Sequence, residues 1–241
     1  MREIKVWRDP YDCKLRLCKA KTVSFEPGLT VLVGCNGAGK TTMLLNIKDE
    51  LEKLKVPVVK FDNLKDGSDS IMSNSAAKGD FELVAQIYSA SEGEGINIAI
   101  NNFLKTKLEH FLITGKQKIE GFKRIFYSEE ELAYTETPSA CKERWILMDA
   151  TDSGLSIDNI CNLKEMMFNV VNELNKKGIE TYFIVSANEY EMASGEDCLD
   201  VISGNHLQFE SYANFKDFIL KSKEQKMKRY QKITRKIKEK S

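Results

Sequence analysis

Three residues of this chain have the chemistry to handle phosphate: Lys40 is a long ammonium, Thr41 a hydroxyl, and Asp149 a carboxylate at the end of an apolar run. Lys40 and Thr41 close the stretch Gly-Cys-Asn-Gly-Ala-Gly-Lys-Thr-Thr, which begins at Gly34 and follows the apolar residues Val31 to Val33. Glycines at this spacing let consecutive backbone N–H groups turn inward onto phosphate oxygens, and the helix that follows adds its positive dipole end. Asn36, Gly37, Ala38, Gly39, Lys40, Thr41 and Thr42 are therefore the expected nucleotide-binding residues. In that pattern Lys40 reaches the β and γ phosphates and the Thr41 hydroxyl ligates Mg²⁺. Asp149 ends Trp-Ile-Leu-Met-Asp, a strand whose closing carboxylate holds Mg²⁺ in a nucleotide-binding sheet.

The elements that must position these groups are legible around them. Thr22 to Phe25 and Ile4 to Trp7 alternate like a pair of strands, and Glu26-Pro27-Gly28 turns the chain into the strand before Gly34. Leu44, Leu45, Ile47, Leu51 and Leu54 recur at helical spacing, and Pro57 precedes the strand Val58 to Phe61. Residues 64–78 are polar and read as a loop. Ser89 to Gly95 opens an amphipathic helix carrying Ile96, Ile100, Phe103, Leu104, Leu108 and Phe111, and by itself that serine and glycine cluster reads as an ordinary helix cap, with a second phosphate site as the alternative. Gly115 to Arg144 is irregular, with a possible cap at Ser128. A helix from Ile160 to Leu174 and a strand from Thr181 to Val185 complete an alternation that predicts a largely parallel sheet covered on both faces. The expected class is α/β: a P-loop NTPase with a mostly parallel sheet flanked by helices, N-terminal antiparallel strands and a small helical insertion.

At 241 residues and 42% hydrophobic, the chain suits one sizeable core with insertions. The expected division is 1–209, with an insertion at about 96–144, and a basic helix at 210–241. Lys216 to Ser241 holds eleven Lys or Arg against three acidic residues within a chain of zero net charge. That end is a candidate DNA contact, with a solvated helix face as the bland alternative. No apolar run approaches the roughly 20 residues of a membrane span, so no membrane partner is expected and the cytoplasm is the expected location. Six scattered cysteines and two histidines indicate neither a disulfide framework nor a zinc site. Trp7 and Tyr11 are aromatics that can stack on a base, but strand aromatics more often pack in cores.

Together these pieces resemble the ATP-binding cassette (ABC) ATPases, over roughly Ile4 to Phe209. The glycine-rich stretch resembles that family's form of the phosphate loop. Ser91-Glu-Gly-Glu resembles its Ser-Gly-Gly-Gln signature, which implies that Ser91 and Gly93 cap the γ phosphate bound by the opposite subunit. Ser153-Gly-Leu resembles the segment through which subunits touch, and Asp62-Asn63 sits where the family has its switch-linking glutamine, making Asn63 a candidate metal ligand beside Thr41 and Asp149. The run Asp-Ala-x-Asp-Ser-Gly-Leu and a Ser-Ala-Asn motif are similar to the compact stand-alone ABC ATPases of tailed bacteriophages and bacteria. Two departures stand out. Ala150 follows Asp149 where the family has its catalytic Glu, and the place of its γ-phosphate-sensing histidine is taken by Asn188 or, in the alternative alignment, by Ala187. Asp152 is the nearest remaining carboxylate, and it either swings toward the attacking water or caps the next turn. Lys40, Asp152 and Asn188 are thus the expected catalytic residues. The resemblance implies ATP and Mg²⁺ as cofactors and an ATP-dependent head-to-tail homodimer, whereas slow hydrolysis is expected from Ala150 and a link to DNA processing from the basic end. An ATP-controlled protein-interaction module with little hydrolysis is the alternative.

Overall fold

The computed structural model describes residues 1–6, 20–62, 66, 68–117, 119 and 126–238. Trp7, Tyr11 and Asn63 lie outside the described residues. The chain is α/β. A six-stranded sheet has the order β4 (Val58–Asp62), β5 (Glu143–Asp149), β6 (Glu180–Ser186), β3 (Gly28–Val33), β7 (Asp197–Asp200), β8 (His206–Leu207). All neighbours are parallel except β7 and β8. A separate antiparallel pair, β1 (Arg2–Lys5) and β2 (Thr22–Phe25), supplies the expected N-terminal strands.

Alternate residues of the central strands are buried on opposite faces, which is why they read as continuous apolar runs and not as alternating ones. On one face Leu32, Trp145, Leu147, Tyr182 and Ile184 pack against Leu44 and Ile47 of α1 (Lys40–Lys53) and against the β1–β2 pair. Trp145 stacks on Tyr182 with ring centroids 4.1 Å apart, and Phe25 meets its edge. On the other face Val31, Phe61, Met148 and Val185 meet α4 (Glu92–Phe103) and α7 (Ile157–Lys176).

Between β4 and β5 lie the helices α2 (Ser68–Lys78), α3 (Phe81–Ser89), α4, α5 (Glu109–Thr114) and α6 (Glu129–Glu136). The loop expected over residues 64–78 is mostly helix α2. Buried Ile71 with Met72 gives it too little apolar periodicity to show in the sequence. The helix expected from Ile96 to Phe111 runs without a gap from Glu92 to Thr114 and includes a π-helical segment, Leu104–Leu108, where the Thr106 hydroxyl donates back to the Asn102 carbonyl at 2.7 Å. Within the irregular stretch, Ser128 caps α6 in a reciprocal box with Glu131. Buried Arg144 then ties the end of α5 to β5, donating to the carbonyls of Leu112 at 3.2 Å and Cys141 at 2.9 Å. After β6 come the short α8 (Tyr190–Ala193), β7, β8 and the long α9 (Tyr212–Lys238). Among the described residues no helix is long and apolar enough to cross a membrane.

Candidate functional site

Because β3, β5 and β6 are parallel, their C-terminal ends share one edge, where an open α/β sheet receives ligands. β3 leads into the glycine loop there, and α1 starts at Lys40. Gly37 and Gly39 have φ of 73° and 108°, a left-handed backbone that residues with a Cβ seldom adopt. Gly39 is the N-cap of α1 and supplies no side-chain hydrogen bond, so the first-turn N–H donors are left for an anion. Asn36, Gly37, Thr41 and Thr42 are exposed, whereas Ala38 is buried and offers only its backbone.

The Lys40 ammonium donates to the Gly34 carbonyl at 2.8 Å. Burial lowers its pKa, against the opposing pull of the Asp152, Cys35 and Asp149 charges. Thr41 Oγ1 donates to Asp149 Oδ1 at 3.2 Å, which places the two expected metal ligands side by side although they are far apart in the chain. Asp149 is buried, and two further partners fix it. Ser186 Oγ donates to the same Oδ1 at 2.7 Å while accepting the Ala150 N–H at 2.7 Å, and Lys60 Nζ lies 3.6 Å from Oδ2. Oxygen donors at Thr41 and Asp149 suit a hard cation such as Mg²⁺. No group of three or more His, Cys, Asp or Glu side chains able to hold a metal occurs among the described residues, so any further ligands would come from nucleotide phosphate and water.

Ala150 has φ of 52° and no carboxylate, as the sequence foretold. Asp152 is fully buried at the turn that follows. Its Oδ2 accepts the backbone N–H groups of Asn188 at 2.7 Å and Glu189 at 2.8 Å, so this carboxylate caps the turn after β6 and not the turn that follows it in sequence. Oδ1 is buried with no hydrogen-bond partner among the described residues. Burial pushes the Asp152 pKa up to about 6, with the two N–H donors pulling the other way. Asn188 in turn donates from Nδ2 to Ser153 Oγ at 2.9 Å.

Ser91 is the N-cap of α4, and its bonds are local. Its N–H and hydroxyl both donate to the Glu94 carboxylate, at 2.7 and 2.8 Å, and its Oγ accepts the Glu94 N–H at 3.4 Å. Gly93 abuts the carbonyl of Gly154, and any side chain there would strike it. The signature-like helix start therefore packs on the turn after Asp152. No bond links it to the phosphate loop among the described residues.

No family model matches the chain, and no curated protein matches it. Among solved structures it is similar to the ATP-binding cassette MJ0796, seen as a dimer in a post-hydrolysis state bound to ADP and Pi, at 14% identity. That likeness covers 81% of this chain and 92% of that one, with a TM-score of 0.37.

Four residues at this edge were given no part in the nucleotide site by the sequence, although Ser186 opens the Ser-Ala-Asn motif and Lys226 belongs to the basic end. Lys60 is a lone charge within Val-Val-Lys-Phe, and a cation inside an apolar strand is the signal that would have found it. Ser186 ends an apolar strand much as Asp149 does. Ser222 and Lys226, on α9, reach the phosphate loop from far along the chain, donating no local pattern that reveals it. A cavity of about 610 Å³ lined by Glu109, Leu112, Ile113 and Met166 lies between α5 and α7, and none of the site residues lines it.

Proposed function

We propose that this protein is an ABC-type ATPase that binds ATP and Mg²⁺ at the glycine loop and pairs head to tail around two nucleotides, hydrolysing slowly. The observation that carries the reading is the meeting of Thr41 and Asp149, 3.2 Å apart, with Lys40 on the same loop. The N–H groups of residues 37–42 would bind the phosphates, Lys40 would neutralise the β and γ oxygens, and Thr41 and Asp149 would hold the cation. Bound Mg²⁺ supplies charge neutralisation at the transferring phosphoryl group. Phosphoryl transfer requires chiefly positioning and charge, both of which these groups provide.

Slow turnover follows from the residues after Asp149. Ala150 has no base to offer, and Asp152 has committed one oxygen to two backbone donors. Proton transfer through Asp152 would have to use Oδ1. The same observation favours a second reading, in which nucleotide closure presents a surface to a partner protein and hydrolysis is incidental. A link to DNA would run through exposed cations of α9 such as Lys221, Lys223 and Lys228.

A steady-state ATPase assay with and without DNA, paired with ATP binding by calorimetry, tests these readings. Lys40→Ala should weaken ATP binding or turnover by about two orders of magnitude. Parent-like binding and turnover in that variant would remove the nucleotide assignment. Measurable turnover that DNA accelerates supports the first reading, and tight ATP binding with negligible turnover supports the second.

A further inference from the structure

Ser222, Lys226 and Arg229 lie at i, i+4 and i+7 on α9 and so share one face of that helix. This face meets the phosphate loop. Ser222 is 3% exposed and its Oγ accepts the Cys35 N–H at 3.1 Å. One turn on, Lys226 Nζ donates to the Asn36 carbonyl at 2.6 Å. A Cβ on Gly37 would lie 3.3 Å from that ammonium, so the glycine gives the cation its close approach to the loop. Arg229 continues the face, with its Nε buried and without a hydrogen-bond partner among the described residues.

The helix carrying these groups is anchored. Phe215 is buried, 5.1 Å from Phe209 and 5.8 Å from Tyr190 between ring centroids, and Ile219 packs against the apolar clusters on both faces of the sheet. The basic end of the chain is therefore not uniformly a solvated face. Part of it is aimed at the loop, while Lys221, Lys223 and Lys228 point elsewhere and are exposed. Two ammonium groups thus hold carbonyls of one short loop: Lys40 on Gly34, from within the motif, and Lys226 on Asn36, from α9.

We propose that Lys226 is a second phosphate-binding cation of the loop, exchanging the Asn36 carbonyl for the terminal phosphate of bound ATP. The inference rests on the nucleotide reading above. The exchange is favourable because a neutral carbonyl acceptor is replaced by an oxyanion, which adds the attraction of opposite charges to a bond whose donor is already charged. Lysine suits the task, since its charge rides on a flexible four-carbon stem that can swing while the helix stays in place. The terminal phosphate is the target because Lys40, which serves the β and γ oxygens in this motif, sits on a carbonyl only two residues from Asn36. Ser222 is a positioning residue: it takes up the Cys35 N–H and so fixes the entry to the loop.

Calorimetric titration of the full chain with ATP and with ADP tests this in the parent, Lys226→Gln, Lys226→Arg and Lys40→Ala. Lys226→Gln should weaken ATP binding about tenfold and ADP binding much less, and Lys226→Arg should retain most of the ATP affinity. A role limited to bracing Asn36 would weaken both nucleotides by the same factor, and that result overturns the proposal. So does ATP binding by Lys226→Gln within twofold of the parent. If neither the parent nor Lys40→Ala binds ATP, the nucleotide reading falls and this inference falls with it. A measurement on the parent alone covers the case in which a variant does not fold. Saturating ATP should protect Lys226, but not Lys223, from acetylation by an amine-reactive ester read by mass spectrometry, and equal labelling of Lys226 with and without ATP overturns the proposal.

Discussion

The end of β5 and the start of α4 are two places proposed to meet phosphate, and they are built in opposite ways. At β5 every polar partner comes from a distant part of the sequence: Thr41, Lys60 and Ser186 all converge on buried Asp149. At α4 the Ser91 side chain bonds within its own helix start, to Glu94 three residues on, and both residues are exposed. A site assembled from strand ends is preorganised by the core that holds the strands, since shifting one partner means shifting a packed strand. A capped helix start has no such support and acquires a second role only when another surface meets it. Under the proposed function the strand-end half of the site is assembled within the chain, and a phosphate role for the α4 half requires a second copy.

The largest effect that would sharpen this contrast is expected at Lys60. It pairs with Asp149 where both side chains are less than a tenth exposed. Lys60→Met removes the ion pair from that carboxylate, and breaking a buried pair typically costs about 3–5 kcal/mol. In a domain of this size that is a fall in Tm on the order of 10 °C. Added Mg²⁺ should restore much of the loss, because a cation at Asp149 takes over the role of the missing ammonium. Thermal unfolding with and without Mg²⁺ decides the matter. If Mg²⁺ shifts parent and variant equally, Lys60 and the cation do not share Asp149.

Asp152 should give a smaller effect with a definite pH signature. Its carboxyl titrates at about 6 in the folded chain, against an ordinary value of 3.8. A raised folded pKa means the native state binds the proton more tightly. The stability this provides is therefore present at low pH and lost as pH rises from about 4 through about 6. The full span is on the order of 2–3 kcal/mol. Asp152→Asn should flatten that part of the stability curve and be more stable than the parent at pH 8. Urea unfolding from pH 4 to pH 8 checks it, and a variant whose curve follows the parent's would place the titration elsewhere. If turnover also survives in Asp152→Asn while Asn188→Ala loses it, Asp152 acts by holding the turn that carries Asn188 and not as a base.

What was legible in the sequence and what was not follows the same division. The glycine loop and Asp149 could be read because their chemistry demands fixed residue types at fixed spacing next to apolar strands. The sheet could be read because its strands, buried on both faces, are continuous apolar runs such as Trp145 to Met148. Helix α2 was hidden, since it buries too few apolar residues to set a period. Lys60, Ser186 and Lys226 were hidden for another reason. Their importance lies in contacts across 89, 37 and 190 residues, which are consequences of strand order and helix packing and leave no local trace. The role of Asp152 was half visible: the carboxylate was found, but its true partners, the N–H groups of Asn188 and Glu189, are on the neighbouring strand end.

The smallest effect on the fold, and the one that bears most directly on the α4 half of the comparison, is expected at Ser91. Replacing an N-cap serine costs about 1 kcal/mol, so Ser91→Ala should lower Tm by only a few degrees and leave the strand-end network intact. Ser91→Arg loses the same cap and adds a bulky cation at the helix end. If α4 meets the phosphate bound by a second copy, that side chain obstructs the contact, and the ATP-dependent dimer should be lost while each subunit still binds ATP. Sedimentation of both variants and the parent, with Mg²⁺ omitted so that ATP persists, separates the cases. A dimer in the parent and in Ser91→Ala but not in Ser91→Arg supports a composite site. Equal dimer fractions in all three would leave Ser91 as a helix cap and nothing more, and the two regions would then differ because only one of them binds nucleotide.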